Sequence, residues 1–396
     1  MVLEYKLVAA EEQRRRMDKA IRTAQFVRNH CLRYWMDGEN VGKNDIYKHT
    51  TKLRAEFEWA KKLNSTAVQA AGERAWSAIS RFYDNHKRGI KPVGYPKFKK
   101  NVRSVEYKQS GWKLDAHNKR LTLTDGFKIG VMKLLGKWDL MLYRQEDIKR
   151  LRIVKRADGY YAQFLVDAQR HFDLEPSGKT IGLDVGLKSF YTDSRGYEEP
   201  NPRFYRKAER ALKKLQRRIS RKVKGSKNRQ KAVMKLGRKH LKIQRQRKDH
   251  AVKLARCVVM SHDVVAFEDL KVRNMIKNRK LSKSIQDAGW REFRRWIESF
   301  AKIMGKIAIP VNPAYTSQMC SRCGVRVKKD LKTRMHMCGC GVVLDRDHNA
   351  AINILKVGLR MVGHTRTAGV IQETLVEMEE DLNSGASVDE ARIPPL

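Results

Sequence analysis

Two groups of residues in this 396-residue chain have the types and spacing for metal chemistry. Cys320 and Cys323 are two residues apart, and Cys338 and Cys340 one, with fourteen residues between the pairs. Four thiolates in two close pairs are the usual ligand set of a tetrahedral structural zinc site, which has no open position and so supports folding. Gly324 and Gly341 follow the pairs and permit the tight backbone there. His336 is an alternative ligand, whereas Cys31 and Cys257 lie in apolar surroundings and are expected in the core. The second group is acidic. Asp184 sits in "TIGLDVG", Glu268 near the end of "DVVAFEDL", and Asp347 in "DRDHNAA" directly behind the knuckle. An acid embedded in an apolar run costs stability unless it is paired or binds a cation. Asp345 or Asp347 taken alone could simply cap a helix, where the dipole favours an anion. Three carboxylates from two strands and a helix could instead cage two divalent cations that clamp the attacking and leaving oxygens of a phosphodiester.

The elements that must position these residues read as follows. A short strand at 1–9 precedes a helical unit at 10–87, in which Met17, Ile21, Ala24, Cys31 and Tyr34 share one face. A second helix carries Val68, Gly72, Ala75, Ile79 and Phe82, with Ser65 or Thr66 as its N-cap. Residues 88–175 open with the basic, aromatic "KRGIKPVGYPKFKK" and continue as short strands, expected to form a β-barrel-like unit completed by the first strand. Asp158-Gly159 marks a hairpin. The α/β part at 176–315 contains the two acid-bearing strands and a basic helical stretch at 203–256, broken at Gly225-Ser226. "VVMSHDVVAFEDL" reads as one strand-like run, and Trp290, Phe293, Ile297, Phe300 and Ile303 as a helix. The knuckle occupies 316–342. A short helix at Asn349–Leu355 lies in the closing part at 343–365, and an acidic, weakly ordered tail at 366–396 has a possible helix at Ile371–Met378.

The charge narrows the partners. The formal net charge is +42, and residues 203–256 hold 23 Lys and Arg against only Glu209 and Asp249. That imbalance exceeds salt-bridge patterning and points to a polyanion, nucleic acid first. No apolar run approaches the ~20 residues of a spanning helix. The opening "MVLEYKLVAAEEQRRR" has no secretory apolar core, so a cytoplasmic protein with reduced cysteines is expected.

Five segments, in order, carry a resemblance: "IGLDVGLKSFYTD", "AFEDLKVRNM", "GWREFRRWIESFAKI", "VNPAYTSQMCSRCG" and "CGCGVVLDRDHNAAINIL". Together they resemble TnpB, the RNA-guided endonuclease of certain insertion sequences and a relative of type V CRISPR effectors. The likeness is densest over about 180–355; "FVRNHCLRYW" and "GYPKFKK" extend it more loosely into the first half. The resemblance implies a RuvC-like nuclease domain of RNase H type with a zinc-knuckle insertion, a wedge β-barrel and a helical recognition domain. It implies Asp184, Glu268 and Asp347 as ligands of two Mg²⁺ ions, Asp345 as a supporting acid, and Cys320, Cys323, Cys338 and Cys340 as ligands of one Zn²⁺. It further implies a guide RNA derived from the transposon end and a double-stranded DNA target beside a short flanking motif; the oligomeric state stays open, although one such site per chain can serve both strands in turn, as a monomer would need. Pairing would carry sequence specificity while the protein reads shape and charge. The rival readings are a nuclease-inactive RNA-guided repressor, a protein-guided RuvC-type nuclease and a simple zinc-dependent DNA-binding protein.

Overall fold

The computed structural model describes residues 1–168, 171–172, 174–330 and 333–363. The expected tail helix at Ile371–Met378 lies outside them. The chain divides into two compact units at Gln169/Arg170.

The first unit holds β1 (Val2–Val8), α1 (Glu11–Asp37), α2 (Lys43–Glu56), α3 (Glu58–Lys61), α4 (Ser65–Lys87), β2 (Ser104–Tyr107), β3 (Trp112–Asp115), β4 (Arg120–Leu123), β5 (Gly130–Leu135), β6 (Ile148–Arg156) and β7 (Gly159–Val166). In α1 the buried side chains Met17, Ala20, Ile21, Ala24, Val27, Cys31, Leu32 and Trp35 recur every three or four residues. Tyr34, expected on that face, is exposed because the stripe passes through Trp35. The N-cap of α4 is Asn64, whose Oδ1 accepts from the Thr66 amide at 2.9 Å; Ser65 already belongs to the helix.

The strands form an antiparallel sheet in the order β2-β6-β7-β1-β5-β4-β3. The first strand is thus in the middle, between β7 and β5. The two edge strands β2 and β3 are joined by residues 108–111 alone, so the ends of the sheet lie side by side as in a barrel-like unit, although among the described residues no ladder pairs them. The β6–β7 hairpin pairs Arg156 with Gly159, which makes Ala157-Asp158 the two-residue loop. On this sheet the buried Glu106 accepts hydrogen bonds from Arg150 Nη1 at 2.6 Å and Arg152 Nη2 at 2.6 Å.

The second unit holds β8 (Thr180–Val185), β9 (Ser189–Asp193), β10 (Glu198–Pro200), α5 (Phe204–Ser220), α6 (Lys227–Ser261), β11 (Val264–Glu268), α7 (Val272–Met275), α8 (Ser282–Ala288), α9 (Trp290–Met304), β12 (Ile307–Val311), β13 (Met335–Met337), β14 (Val343–Asp345) and α10 (Arg346–Gly363). Its main sheet runs β10-β9-β8-β11-β12. The first three strands are antiparallel, and β11 lies parallel to both β8 and β12.

Alternation along the strands sorts two cores. Ile181, Leu183, Val265 and Phe267 point toward Ala255, Val259, Phe293 and Ile297 of α6 and α9. Val264, Ala266, Ile309 and Val311 pack with Ile354, Leu355 and Leu359 of α10 on the opposite face. The sheet is therefore the middle of three layers.

Two boundaries correct the sequence reading. Helix α6 continues through Val258 and Val259, which looked strand-like. Their β-branched pair falls on the stripe of Ala251 and Ala255, and the helix stops where buried His262 hydrogen-bonds the Val258 carbonyl at 2.9 Å. Helix α10 runs from Arg346 to Gly363, far beyond Asn349–Leu355, because Gly358, Leu359 and Val362 continue its buried stripe. The α5–α6 break does fall at Gly225-Ser226. Gly225 has φ +85°, and Ser226 Oγ caps α6 by accepting from the Arg229 amide at 3.1 Å.

Candidate metal centres and their supports

The register of two parallel strands brings two acids together. Leu183 pairs with Phe267 across β8 and β11, so Asp184 and Glu268 are the next residues along adjacent strands. Strand spacing sets their backbones about 5 Å apart, and alternation puts both side chains on the face shared by Gly182 and Ala266. Helix α10 covers that face at unusually close range. A Cβ on Gly182 would lie 2.2 Å from the Ala351 carbonyl oxygen, and one on Gly358 would lie 2.6 Å from Ala266 Cβ. Asp347 is four residues, one helical turn, before Ala351, on the side of the strand ends that carry Asp184 and Glu268.

The three acids feel one another's charge, although their carboxylate oxygens do not all lie within 4.8 Å of one another. Burial pushes the Asp184 carboxyl well above the ordinary range, and the charges of Glu268, Asp347 and Asp345 push the same way against Arg346. Burial also raises Glu268. The Thr316 hydroxyl, donating to Glu268 Oε1 at 2.7 Å, opposes that rise, and Asp347 adds to it. Mutually repelling, desolvated carboxylates are costly without a compensating cation, and hard oxygen donors suit Mg²⁺. In this structure Asp347 is approached by Arg346 Nε at 3.2 Å and Arg334 Nη1 at 3.4 Å. Asp345 accepts from the Asp347 amide at 2.8 Å, so it caps α10. Beside Glu268 lies a cavity of about 620 Å³ with Phe267 and Trp290 in its wall and Lys271, Arg273, Arg291 and Arg295 around it.

The four cysteines of the knuckle also meet. Their sulfurs all lie within 4.8 Å of one another, with Cys320–Cys340 at 3.6 Å and Cys323–Cys338 at 3.5 Å. Zn–S bonds of 2.3 Å give a tetrahedron whose edges are about 3.8 Å, so the set fits zinc. In the first turn the Gly324 amide reaches the Cys320 carbonyl, and in the second the Gly341 amide reaches Cys338, one residue sooner, as the shorter spacer requires. Burial pushes the Cys320 thiol up. The amides of Cys323 and Arg322, together with His336, outweigh it and hold the thiol down to about 6. His336 is buried beside this set, its Nδ1 facing Lys329, and is not one of the four clustered ligands. Cys31 is buried in the first unit, its thiol pushed up to about 12 by burial. Cys257, in contrast, is exposed, because it falls between the buried positions of α6.

Several supports of the site escaped the sequence reading. Gly182 is one; a glycine inside an apolar strand is the signal of a close backbone approach. Asn349 and Asn353 are others, two amides one turn apart on an otherwise apolar stretch of α10. They bind the turn before the knuckle. Asn349 Nδ2 donates to Met319 O at 2.8 Å, and Asn353 Nδ2 donates to Thr316 O at 2.8 Å.

Comparison with known proteins agrees with this architecture. Residues 163–279 match the OrfB_IS605 family model, described as "Probable transposase", and residues 290–354 match the Cas12f1-like TNB domain. A Streptomyces pristinaespiralis protein named "Putative RNA-guided DNA endonuclease" is 30% identical over 375 residues, covering 90% of this chain and 89% of its own. An Escherichia coli (strain K12) protein of the same description, named InsQ, is 28% identical, covering 90% of this chain and 91% of its own. The fold is similar to that of a Cas12f1–sgRNA–target DNA complex, with TM-score 0.53 and 15% identity over 87% of this chain and 83% of that one. It is also similar to the mini-RNA-guided endonuclease CRISPR-Cas_phi3, with TM-score 0.56 and 9% identity over 90% and 92%. The chain belongs to the TnpB family. Among the described residues, no helix is long and apolar enough to cross a membrane.

Proposed function

We propose that the RNA-guided DNA endonuclease activity of this chain resides in the cluster of Asp184, Glu268 and Asp347, within a RuvC-like domain formed by the second unit. The observation that supports this reading is the register that sets Asp184 and Glu268 side by side at adjoining strand ends, both shifted upward by burial and by the charge of Asp347.

Asp184, Glu268 and Asp347 would hold two Mg²⁺ ions. Bound there, the cations supply an activated water and stabilise the leaving 3′ oxygen. The chain itself does the positioning. Strands β8 and β11 fix two carboxylates in register, and α10 brings the third toward the same face. No side-chain nucleophile is needed. Zn²⁺ on the four cysteines would act in folding only.

The guide RNA, derived from the transposon end, would lie along the basic helices α5 and α6. The seven-stranded antiparallel sheet would be the wedge domain and α1–α4 the recognition lobe, together holding RNA and the flanking motif of the duplex. The effector would act as a monomer in the cytoplasm.

The test begins with the RNA that copurifies when the protein is expressed with its native flanking DNA. One dominant structured species ending in sequence from beyond the element supplies the guide; a random cellular mixture refutes RNA guidance. With that guide, Asp184→Ala should abolish Mg²⁺-dependent cleavage and keep the RNA. Persisting cleavage would reject the assignment of the acids.

A further inference from the structure

Thr316 lies on the turn between β12 and the knuckle, and is 8% exposed. Its hydroxyl stands 2.7 Å from Glu268 Oε1 and 3.4 Å from the Pro313 carbonyl. One proton cannot serve both, and the shorter, charge-assisted bond takes it.

The backbone around this hydroxyl is held from several sides. Tyr315, immediately before it, has φ +66°, a left-handed conformation uncommon for a residue with a side chain. Such strain persists only where the surroundings over-determine it. The Arg326 guanidinium lies 3.8 Å over the Tyr315 ring. Asn353 Nδ2 donates to the carbonyls of Thr316 at 2.8 Å and Met319 at 2.7 Å. Asn349 bonds both Met319 O and the Ser321 amide, and Lys356 Nζ reaches Ser321 O at 3.0 Å. Residues 349, 353 and 356 form one face of α10, the helix that carries Asp347 in its first turn.

We infer that Thr316 is a positioning residue: its hydroxyl fixes the orientation of the Glu268 carboxylate, and the turn that carries it is clamped to α10 so that Glu268 and Asp347 share one frame. This rests on the reading of Asp184, Glu268 and Asp347 as the cation site. Partners that hydrogen-bond a metal-binding carboxylate set its direction, and losing one typically costs about 10–100-fold in metal affinity or activity. The turn leading into the knuckle is thereby part of the cutting centre, although its cysteines do no chemistry.

The experiment uses the full chain with its guide RNA and measures single-turnover DNA cleavage across a Mg²⁺ titration. Thr316→Val removes the donor and keeps the shape. Its half-saturating Mg²⁺ should rise about 10–100-fold, with zinc and RNA content unchanged. Thr316→Ser restores the donor and should return within a few-fold of the original Mg²⁺ dependence. Asn353→Ala keeps the hydroxyl and loosens the turn; it should shift the titration in the same direction, and it carries the test if Thr316→Val does not fold. An unchanged Mg²⁺ dependence in folded Thr316→Val overturns the inference. So does a Thr316→Ser variant as impaired as Thr316→Val, which would assign the effect to packing. Asp184→Ala in the same assay separates the two levels: continued cutting there sinks the cation site itself, whatever Thr316 does.

Discussion

Gly182→Ala tests the convergence of strands and helix most directly. The new methyl would sit 2.2 Å from the Ala351 carbonyl oxygen and 2.8 Å from both the Leu355 amide nitrogen and its Cβ. Two of these three atoms are helix backbone, so no rotamer change relieves the clash. Ordinary contact begins near 3.4 Å, so β8 and α10 must part by about 1 Å. Forced overpacking of this kind costs about 1–3 kcal/mol. The larger effect should fall on catalysis. Asp184 is two residues along β8 and Asp347 one turn along α10, so the same separation opens the acid cluster. A misplacement of about 1 Å can cost roughly 10²-fold in rate. Single-turnover cleavage at saturating Mg²⁺ should therefore fall about a hundredfold while RNA content stays constant. Circular dichroism and thermal unfolding would report the modest stability loss. Gly94→Ala, with nothing within 4 Å of the added methyl, serves as the control. Cleavage by Gly182→Ala within threefold of the parent would refute the geometric argument.

Other perturbations have equally definite outcomes. Cys338→Ser should lower bound zinc from one ion per chain toward none, measured by atomic absorption; retention of a full equivalent would remove Cys338 from the ligand set. Asp287, whose carboxylate accepts from the amides of Tyr205 at 2.7 Å and Arg206 at 3.0 Å, caps α5 from a distance. Asp287→Ala should cost about 1–2 kcal/mol in denaturant unfolding, and a change below ~0.3 kcal/mol would show the cap to be idle. Burial raises Glu106, but Arg150 and Arg152 outweigh it and hold the carboxyl below its usual 4.5. A folded value below the unfolded one means its stabilisation is present above about pH 4.5 and disappears as the pH falls through the folded value. The stability gap between the parent and Glu106→Gln should thus narrow on acidification, and a gap that widens would reverse the sign.

What the sequence revealed, and what it concealed, follows from the range of the interactions involved. Contiguous apolar runs ending in Asp184 and Glu268 were legible as strands because both faces of β8 and β11 are covered. The cysteine pairs were legible because a knuckle is local. Strand β10, only three residues with two glutamates, carries no periodic signal; its pairing with β9 creates it. The end of α6 was misread because Val258-Val259 suits a strand by propensity, and only packing against α9 and the sheet decides for the helix. Asn64 was overlooked beside two hydroxyl residues that cap equally well in principle. The clamp of Asn349, Asn353 and Lys356 on residues 316–321 was invisible because it spans about thirty residues of chain and uses backbone carbonyls, which every residue has.

The hairpin of α5 and α6 has a further consequence. Leu212 is the one buried side chain of α5, while α6 spans 35 residues, roughly 50 Å of helix. Where α5 faces the first half of α6 the two densely cationic rods repel each other, and Leu212, Ala232 and Ile243 are the buried apolar side chains there that resist. If the guide RNA lies on them as proposed, part of their folding free energy would reside in that polyanion. We expect protease to nick the apo-protein first at the turn near Gly225, and added RNA to protect it; equal cutting with and without RNA would contradict this. A cell that made the protein without its transcript would then clear it, so the abundance of the effector would follow the supply of its guide.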